Sequence, residues 1–160
     1  MHFGVLWGVL ALLSKFKKMI EIIKQILNSD LGNSFNNAAL LVFRVLLAIE
    51  LFRVHGMKKF RVENGQKEHV PNPLHLPEKL NGLVATFSDT IIPFFIILGL
   101  GTRLAVLPTI GVTAIGYFVV HRNDSLEVRD VPYMYTLSLL LLLALGAGTY
   151  SLDYYLLNLI

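Results

Sequence analysis

The most constraining feature of this sequence is an apolar hairpin over residues 98–121, in which a Gly-Leu-Gly-Thr-Arg turn joins two apolar runs. Residues 104–120 contain no charged side chain. As a helix with a rise of about 1.5 Å per residue, they would extend about 25 Å, close to the thickness of a bilayer's hydrocarbon core. Because the turn is too short to do more than reverse the chain, the two runs are predicted to be antiparallel neighbours.

The composition indicates a chain that lies mostly within a membrane. Hydrophobic residues make up 54% and charged residues only 16% of the 160 residues, against averages of about 45–50% and about 25%. A fully buried helical hairpin would be hard to arrange in a soluble domain of this size that carries two further apolar runs. The sequence therefore predicts a polytopic, all-α membrane protein surrounded by the lipid bilayer.

Charge and cysteine content exclude several classes of function. The net charge is +3, but no basic stretch is interleaved with aromatic residues, so nucleic-acid binding is not expected. Cysteine is absent, so the chain alone cannot form a disulfide, act through a thiolate or hold an iron–sulfur cluster. A redox role would need a bound cofactor, a quinone or a partner subunit.

The apolar runs predict an antiparallel four-helix transmembrane bundle with up-down-up-down topology. Pro93 removes the helical donor for the carbonyl of Asp89, which predicts a kink in the second helix. The four membrane-spanning helices are expected near residues 37–54, 83–98, 103–120 and 131–145.

An N-terminal extension, residues 1–36, is predicted to precede the transmembrane domain of residues 37–155. A short apolar run over 3–13 is followed by 15–28, where apolar and charged side chains fall on opposite helical faces. This pattern predicts an amphipathic helix in the membrane interface. Met19 as the true start of the chain is an alternative that the sequence leaves open.

The predicted topology gathers polar residues at one end of the bundle. We name this the loop end, because it carries the long connection 55–82, and we name the opposite end, with the turn 99–101, the turn end. A pocket opening at the loop end would hold a quinone head group or another small polar molecule. Its candidate ligand-binding residues are Arg44, Glu50, His55, Asp89, His121 and Glu127.

Other interpretations of these polar residues remain open. An internal salt bridge, such as Arg44 with Asp89, would fix helix packing, since each charge alone would be costly within the membrane. A metal site is a third interpretation, but we assign none because no local two-histidine spacing is present. Glu50 and Arg53 are three residues apart and are expected to pair on a different helical face.

Several short motifs follow one another over residues 37–155. They are Arg44, His55-Gly56 followed by Lys58 and Lys59, Leu98-Gly99-Leu100-Gly101-Thr102-Arg103, His121 followed by Glu127, and Gly146-Ala147-Gly148 leading to Ser151-Leu152-Asp153. In their order and spacing they resemble the DoxX family of small four-helix membrane proteins. The resemblance implies a multi-pass protein of the cell membrane, of bacterial inner-membrane type. Some relatives are described as membrane partners of redox enzymes, including a quinone-linked oxidoreductase.

The resemblance implies a membrane subunit that binds a quinone or a lipid-like molecule and docks a soluble redox enzyme. At most, the chain would be one subunit of a quinone-linked oxidoreductase, and its catalytic residues are unknown. A small-solute carrier and a non-catalytic structural or assembly factor are alternatives from other classes. Four helices are few for alternating access, so a carrier would require a homodimer.

Overall fold

The computed structural model describes residues 2–63, 66–67 and 70–159, and these residues are almost entirely helical. A two-residue antiparallel hairpin in the long connection, β1 (Val62–Glu63) with β2 (Gln66–Lys67), is the strand pairing found within them. The described α-helices are α1 His2–Leu27, α2 Ser34–Leu51, α3 Glu78–Thr90, α4 Ile92–Leu98, α5 Thr102–Ile115, α6 Leu126–Leu145 and α7 Leu152–Leu157.

Three helical stretches in the described part of the chain are long and apolar enough to cross a membrane. They are Glu78–Leu98, which joins α3 and α4, Thr102–Val120, which contains α5, and Leu126–Leu145, which is α6. All three correspond to predicted spans, although α6 begins five residues before the predicted helix. The predicted first span corresponds to α2, which is 18 residues long and packs along α4; that α2 also crosses the membrane stays a prediction.

The second predicted span is interrupted where a kink was expected. The α3 helix ends at Thr90, α4 begins at Ile92, and Pro93 lies in the first turn of α4. Because proline has no amide hydrogen and its ring crowds the preceding turn, a regular helix cannot run through this position. The predicted kink is confirmed.

Two π-helical turns extend helices toward the loop end. The first, Phe52–Gly56, follows α2 directly and is continued by the 3₁₀ turn Met57–Phe60. The second, Gly116–Val120, continues α5. Such turns are rare in proteins and occur frequently at functional sites. The regular α-helix of the first predicted span therefore ends at Leu51 rather than at residue 54.

A small core lies where the helices meet, and the outer faces are apolar and exposed. Leu104 and Leu137, for example, are 60% and 50% exposed on the outward sides of α5 and α6. Exposed leucines on helices of this length are expected where lipid, rather than water, is the neighbour. The buried core contains Leu40, Ala48, Ile92, Ile96, Val106, Leu139 and Leu142.

The turn between α4 and α5 reverses the chain as the sequence predicts. Gly99 and Gly101 have φ angles of 66° and 55°, a region that glycine enters without the steric cost a side chain would add. The helices α4 and α5 then pack against each other as neighbours.

The N-terminal extension forms one continuous helix, α1, rather than a short apolar run followed by a separate helix. Phe16 and Met19 are 58% and 47% exposed, and Lys17 and Lys18 are exposed as well. The C-terminal part of α1 contacts α5 and α7 at the turn end. Its predicted location in the membrane interface stays a prediction.

Candidate functional site

Arg44 is the most deeply buried charged side chain at the turn end, with 1% of its surface exposed. Its guanidinium donates to the carbonyls of Ile96 and Ile97, at 2.5 and 2.7 Å, and to the carbonyl of Tyr150. Ile96 and Ile97 lie in the last turn of α4, where carbonyls lack the donor that a continuing helix would supply. The carbonyl of Ile96 also accepts from the N–H of Gly99. Arg44 therefore adds a donor for backbone carbonyls at this helix end.

Asp153 caps the start of α5 from across the turn end. One carboxylate oxygen accepts from the backbone N–H of Gly101 at 2.7 Å, and the other accepts from that of Thr102 at 3.2 Å. Gly101 stands at the N-cap position and has no side chain to do this. Asp153 also interacts electrostatically with the guanidinium of Arg44, so the two opposite charges belong to one arrangement.

The packing around the Arg44 guanidinium leaves no room for a side chain at Gly99. A side chain at Gly99 would place its Cβ 2.5 Å from the Cβ of Ser151 and 2.7 Å from a guanidinium nitrogen of Arg44. We refer to Arg44, Gly99, Ser151 and Asp153 as the turn-end cluster. It brings together the Gly-Leu-Gly turn and the Ser-Leu-Asp segment, which are about fifty residues apart in the chain.

The predicted ion pair between Arg44 and Asp89 is wrong. Arg44 contacts the carbonyl of Ile96, which lies seven residues beyond Asp89 and therefore about 10 Å farther along the helix axis. Side chains on an α-helix lean toward its N-terminus, so Arg44 extends toward the turn end and away from Asp89. The carbonyls of Ile96 and Ile97, in the last turn of α4, are the acceptors there.

The loop end contains a cavity of about 480 Å³, bounded by α3, α5, α6 and the end of α2. Residues of the long connection, including Val70 and Pro73, lie over it. Most of its wall is apolar. We refer to it as the loop-end cavity. Its charged, histidine and tyrosine lining residues are His55, Lys59, Asp89, His121 and Tyr135.

An ion pair lies in the wall of the loop-end cavity. The amine of Lys59 is 3.4 Å from a carboxylate oxygen of Asp89, and each side chain is only 11% exposed. Gly56 allows this close approach, because a Cβ there would collide with the backbone carbonyl of Asp89. The ring of His55 meets the ring of Tyr135 edge to face, with centroids 5.3 Å apart.

Open space remains beside the helix α5 in this cavity. Gly111 lines the cavity, and a Cβ added to it would meet no atom within 4 Å. The loop-end cavity therefore differs from the surroundings of Arg44, because several of its polar groups together border a volume that another molecule could fill.

The structure brings three of the six predicted ligand-binding residues to this cavity, namely His55, Asp89 and His121. His121 also contacts Asp124, 2.7 Å away. Arg44 lies instead in the turn-end cluster.

Glu50 and Glu127 do not line the loop-end cavity. Glu50 is 3.6 Å from Arg53 in an exposed ion pair, which confirms the pairing expected from their spacing. Glu127 is exposed in the first turn of α6. Within the described residues, no group of three or more histidine or acidic side chains is arranged to hold a metal ion.

Three residues that matter for these two sites are not among the six candidate ligand-binding residues. Lys59 could have been selected, since it follows the His-Gly pair and must lie near Asp89 if the helices are antiparallel. Tyr135 gave no signal beyond its place near the loop end. Asp153 was recognised within a motif, but its capping of α5 depends on a contact across about fifty residues.

Comparison with known proteins adds a family relationship. The family model for DoxX matches residues 39–122. A protein of Haemophilus influenzae described as uncharacterized is 32% identical over 126 residues, which cover 74% of this chain and 83% of the relative. No solved structure matches the chain.

Proposed function

Because this chain belongs to the DoxX family, we propose that it is a membrane subunit that binds a quinone, or a lipid-like molecule with a small polar head, at its loop end. Family membership and the three apolar helices make it an integral membrane protein. The observation that supports the proposed ligand is the loop-end cavity, where an ion pair and two histidines border a mostly apolar volume.

The size and lining of the cavity suit such a ligand. Its volume of about 480 Å³ falls within the range of about 300–1,000 Å³ that is usual for small-molecule sites. Apolar walls with a few convergent polar groups are also the usual composition of these sites. The apolar wall would contact the ring face and tail of a quinone.

The polar residues would hold the oxygens of the head group. Lys59 is a donor kept in place by Asp89, and both side chains are nearly buried. A hydrogen bond from a charged donor contributes about 1.5–3 kcal/mol when water is excluded. In the same cavity, His55 offers ring nitrogens and Tyr135 offers a hydroxyl. The quinone would supply the redox chemistry, while this chain binds and orients it.

A soluble redox enzyme would dock at the loop end in this proposal. The cavity lies at this end, and Lys58, Arg61 and Arg122 are exposed around it. Exposed basic side chains favour encounter with an acidic partner surface. A catalytic role of the chain on its own forms no part of the proposal.

Ligand binding can be tested with the full chain purified in detergent and a short-chain benzoquinone as the probe. Asp89→Asn keeps the side-chain volume but removes the charge that holds Lys59, so we expect binding at least about tenfold weaker. Equilibrium dialysis measures the dissociation constant, and thermal unfolding reports whether the variant remains folded.

Glu21→Gln is the control, because it makes the same chemical change at an exposed carboxylate of α1, outside the cavity. It should bind the benzoquinone as the unaltered chain does. Equal binding by the Asp89→Asn variant and the unaltered chain would contradict the proposed site. Absence of binding to the unaltered chain would favour a structural or assembly role.

A further inference from the structure

A second opening lies on the outer wall of the protein at the turn end. It has a volume of about 410 Å³ and runs between α4 and α5, bounded by the ends of α1 and α7. We refer to it as the outer groove. Its lining is apolar except for Asp153, whose carboxylate already accepts from the N–H groups of Gly101 and Thr102. The groove is therefore suited to a hydrocarbon rather than to a polar molecule.

The outer groove runs in the direction of a lipid chain. It begins beside Leu100, in the turn between α4 and α5, and reaches Pro108 within α5 and Phe87 within α3. Leu100 and Pro108 are eight residues apart, so the groove extends about 12 Å from the turn end toward the middle of the helices. An acyl chain enters the bilayer core from the interface along the same line.

A basic residue of α1 lies one helical turn from a residue that lines this groove. Leu27 of α1 lines the groove, and Lys24 lies one helical turn earlier, on the same face of α1. Lys24 is half-buried, unlike the exposed Lys17 and Lys18 on the same helix. The salt bridges found within the described residues do not include Lys24.

We propose that the outer groove binds an anionic phospholipid, with one acyl chain in the groove and the phosphate paired with Lys24. Charge complementarity favours an anionic over a zwitterionic lipid, because Lys15, Lys17 and Lys18 add positive charge to α1 against the single acidic Glu21. Basic residues on an amphipathic helix are attracted to anionic headgroups. This proposal requires only that the chain lies in a membrane, and it is independent of quinone binding at the loop end.

Native mass spectrometry of the full chain in detergent tests the proposal, with equal amounts of phosphatidylglycerol and phosphatidylcholine added. The unaltered chain should retain one phosphatidylglycerol in preference to phosphatidylcholine. Lys24→Glu should weaken that retention by at least about fivefold, the effect of one basic residue at an anionic surface. Leu104→Trp should also weaken it, because Leu104 lines the groove and a larger side chain there would fill it.

Two variants control for charge and bulk. Lys79→Glu makes the same charge change at an exposed position near the start of α3, at the loop end. Leu107→Trp adds the same bulk to an exposed position of α5 outside the groove. Both should retain phosphatidylglycerol as the unaltered chain does. Equal retention of the two lipids, or undiminished retention by the Leu104→Trp variant, would overturn the proposal. A quinone that co-purifies with the unaltered chain and is lost only in the Leu104→Trp variant would also overturn the proposal.

Discussion

The two ends of this protein use buried charge in opposite ways. At the turn end, Arg44 and Asp153 bond to backbone groups of the helix ends and turns around them. At the loop end, Lys59 and Asp89 pair with each other beside a cavity of about 480 Å³. A charge in a membrane protein is costly at either end. At the loop end both members of the ion pair line the cavity, whereas at the turn end Asp153, which also lines the outer groove, already accepts from two backbone N–H groups.

This difference shows how structural charges can be separated from binding charges. The charges of the turn-end cluster complete the hydrogen bonding of α4 and α5, so their loss should affect folding first. The charged residues of the loop-end cavity border a mostly apolar volume, so their loss should affect ligand binding more than folding. The following variants test that separation, beginning with the largest expected effect.

Arg44→Leu should destabilise the protein by about 3–5 kcal/mol, the usual cost of leaving a buried charge or polar group without its partner. Three carbonyls would lose a donor and Asp153 would lose its neighbouring positive charge. Thermal unfolding in detergent measures the change. Arg53→Leu is the control, because Arg53 is 69% exposed in a surface ion pair, which contributes about 0–1 kcal/mol. Similar losses in both variants would contradict the assignment of Arg44.

Asp153→Ala should lower the free energy of unfolding less than Arg44→Leu does, but by at least about 1–2 kcal/mol, the usual contribution of a helix cap. The reason is that α5 loses the acceptor for two N–H groups. Asp153→Asn keeps one acceptor oxygen and should lose less stability than Asp153→Ala. Both variants should bind the benzoquinone as tightly as the unaltered chain, after correction for any unfolded fraction. Weakened binding by the folded Asp153→Asn variant would show that the two ends are coupled.

Replacing Asp30 should give the smallest loss of stability, and this loss should diminish in acid. Hydrogen bonds from the Asn37 side chain and the Gly32 N–H hold the pKa of Asp30 below its ordinary value of 3.8. A group with a lowered pKa stabilises the fold above its unfolded pKa, and this stabilisation is lost as the pH falls through the folded pKa.

The measurement is the difference in melting temperature between the unaltered chain and the Asp30→Asn variant as a function of pH. We expect the difference to be constant near neutrality and to shrink only below about pH 4. A difference that changes between pH 6 and pH 8 would show that another group is responsible.

Much of the fold could be predicted from the sequence because its signals are local. The uncharged run 104–120 predicts a spanning helix, and Pro93 breaks the helix in which it lies. Gly99 and Gly101 have the positive φ angles that a tight reversal requires. Each of these features depends on neighbouring residues in the chain, so periodicity and residue type were sufficient.

The partners of the buried charges could not be predicted in the same way. The sequence pattern places Arg44 and Asp89 in adjacent helices. It does not show that the Arg44 side chain extends toward the carbonyls of Ile96 and Ile97, in the last turn of α4. Every residue has a backbone carbonyl, so the acceptors of a buried arginine cannot be identified by residue type. An arginine that bonds to carbonyls needs no acidic partner that the sequence would reveal. The loop-end site was partly predictable, because His55, Asp89 and His121 are brought together by topology alone.

One pair of variants tests most directly whether the loop-end cavity is a binding site. Gly111→Leu places a side chain where a Cβ meets no atom within 4 Å, in the wall of the cavity. Gly82→Leu makes the same change at a helical glycine outside the cavity, where a Cβ also meets no atom within 4 Å. Both variants should fold, since leucine favours a helix more than glycine does.

The measurement is the dissociation constant of the short-chain benzoquinone for both variants and the unaltered chain, in the same detergent. Gly111→Leu should weaken binding at least about tenfold, because the added side chain occupies the ligand's volume, while Gly82→Leu should leave binding unchanged. Undiminished binding by a folded Gly111→Leu variant would show that the ligand does not lie in the loop-end cavity.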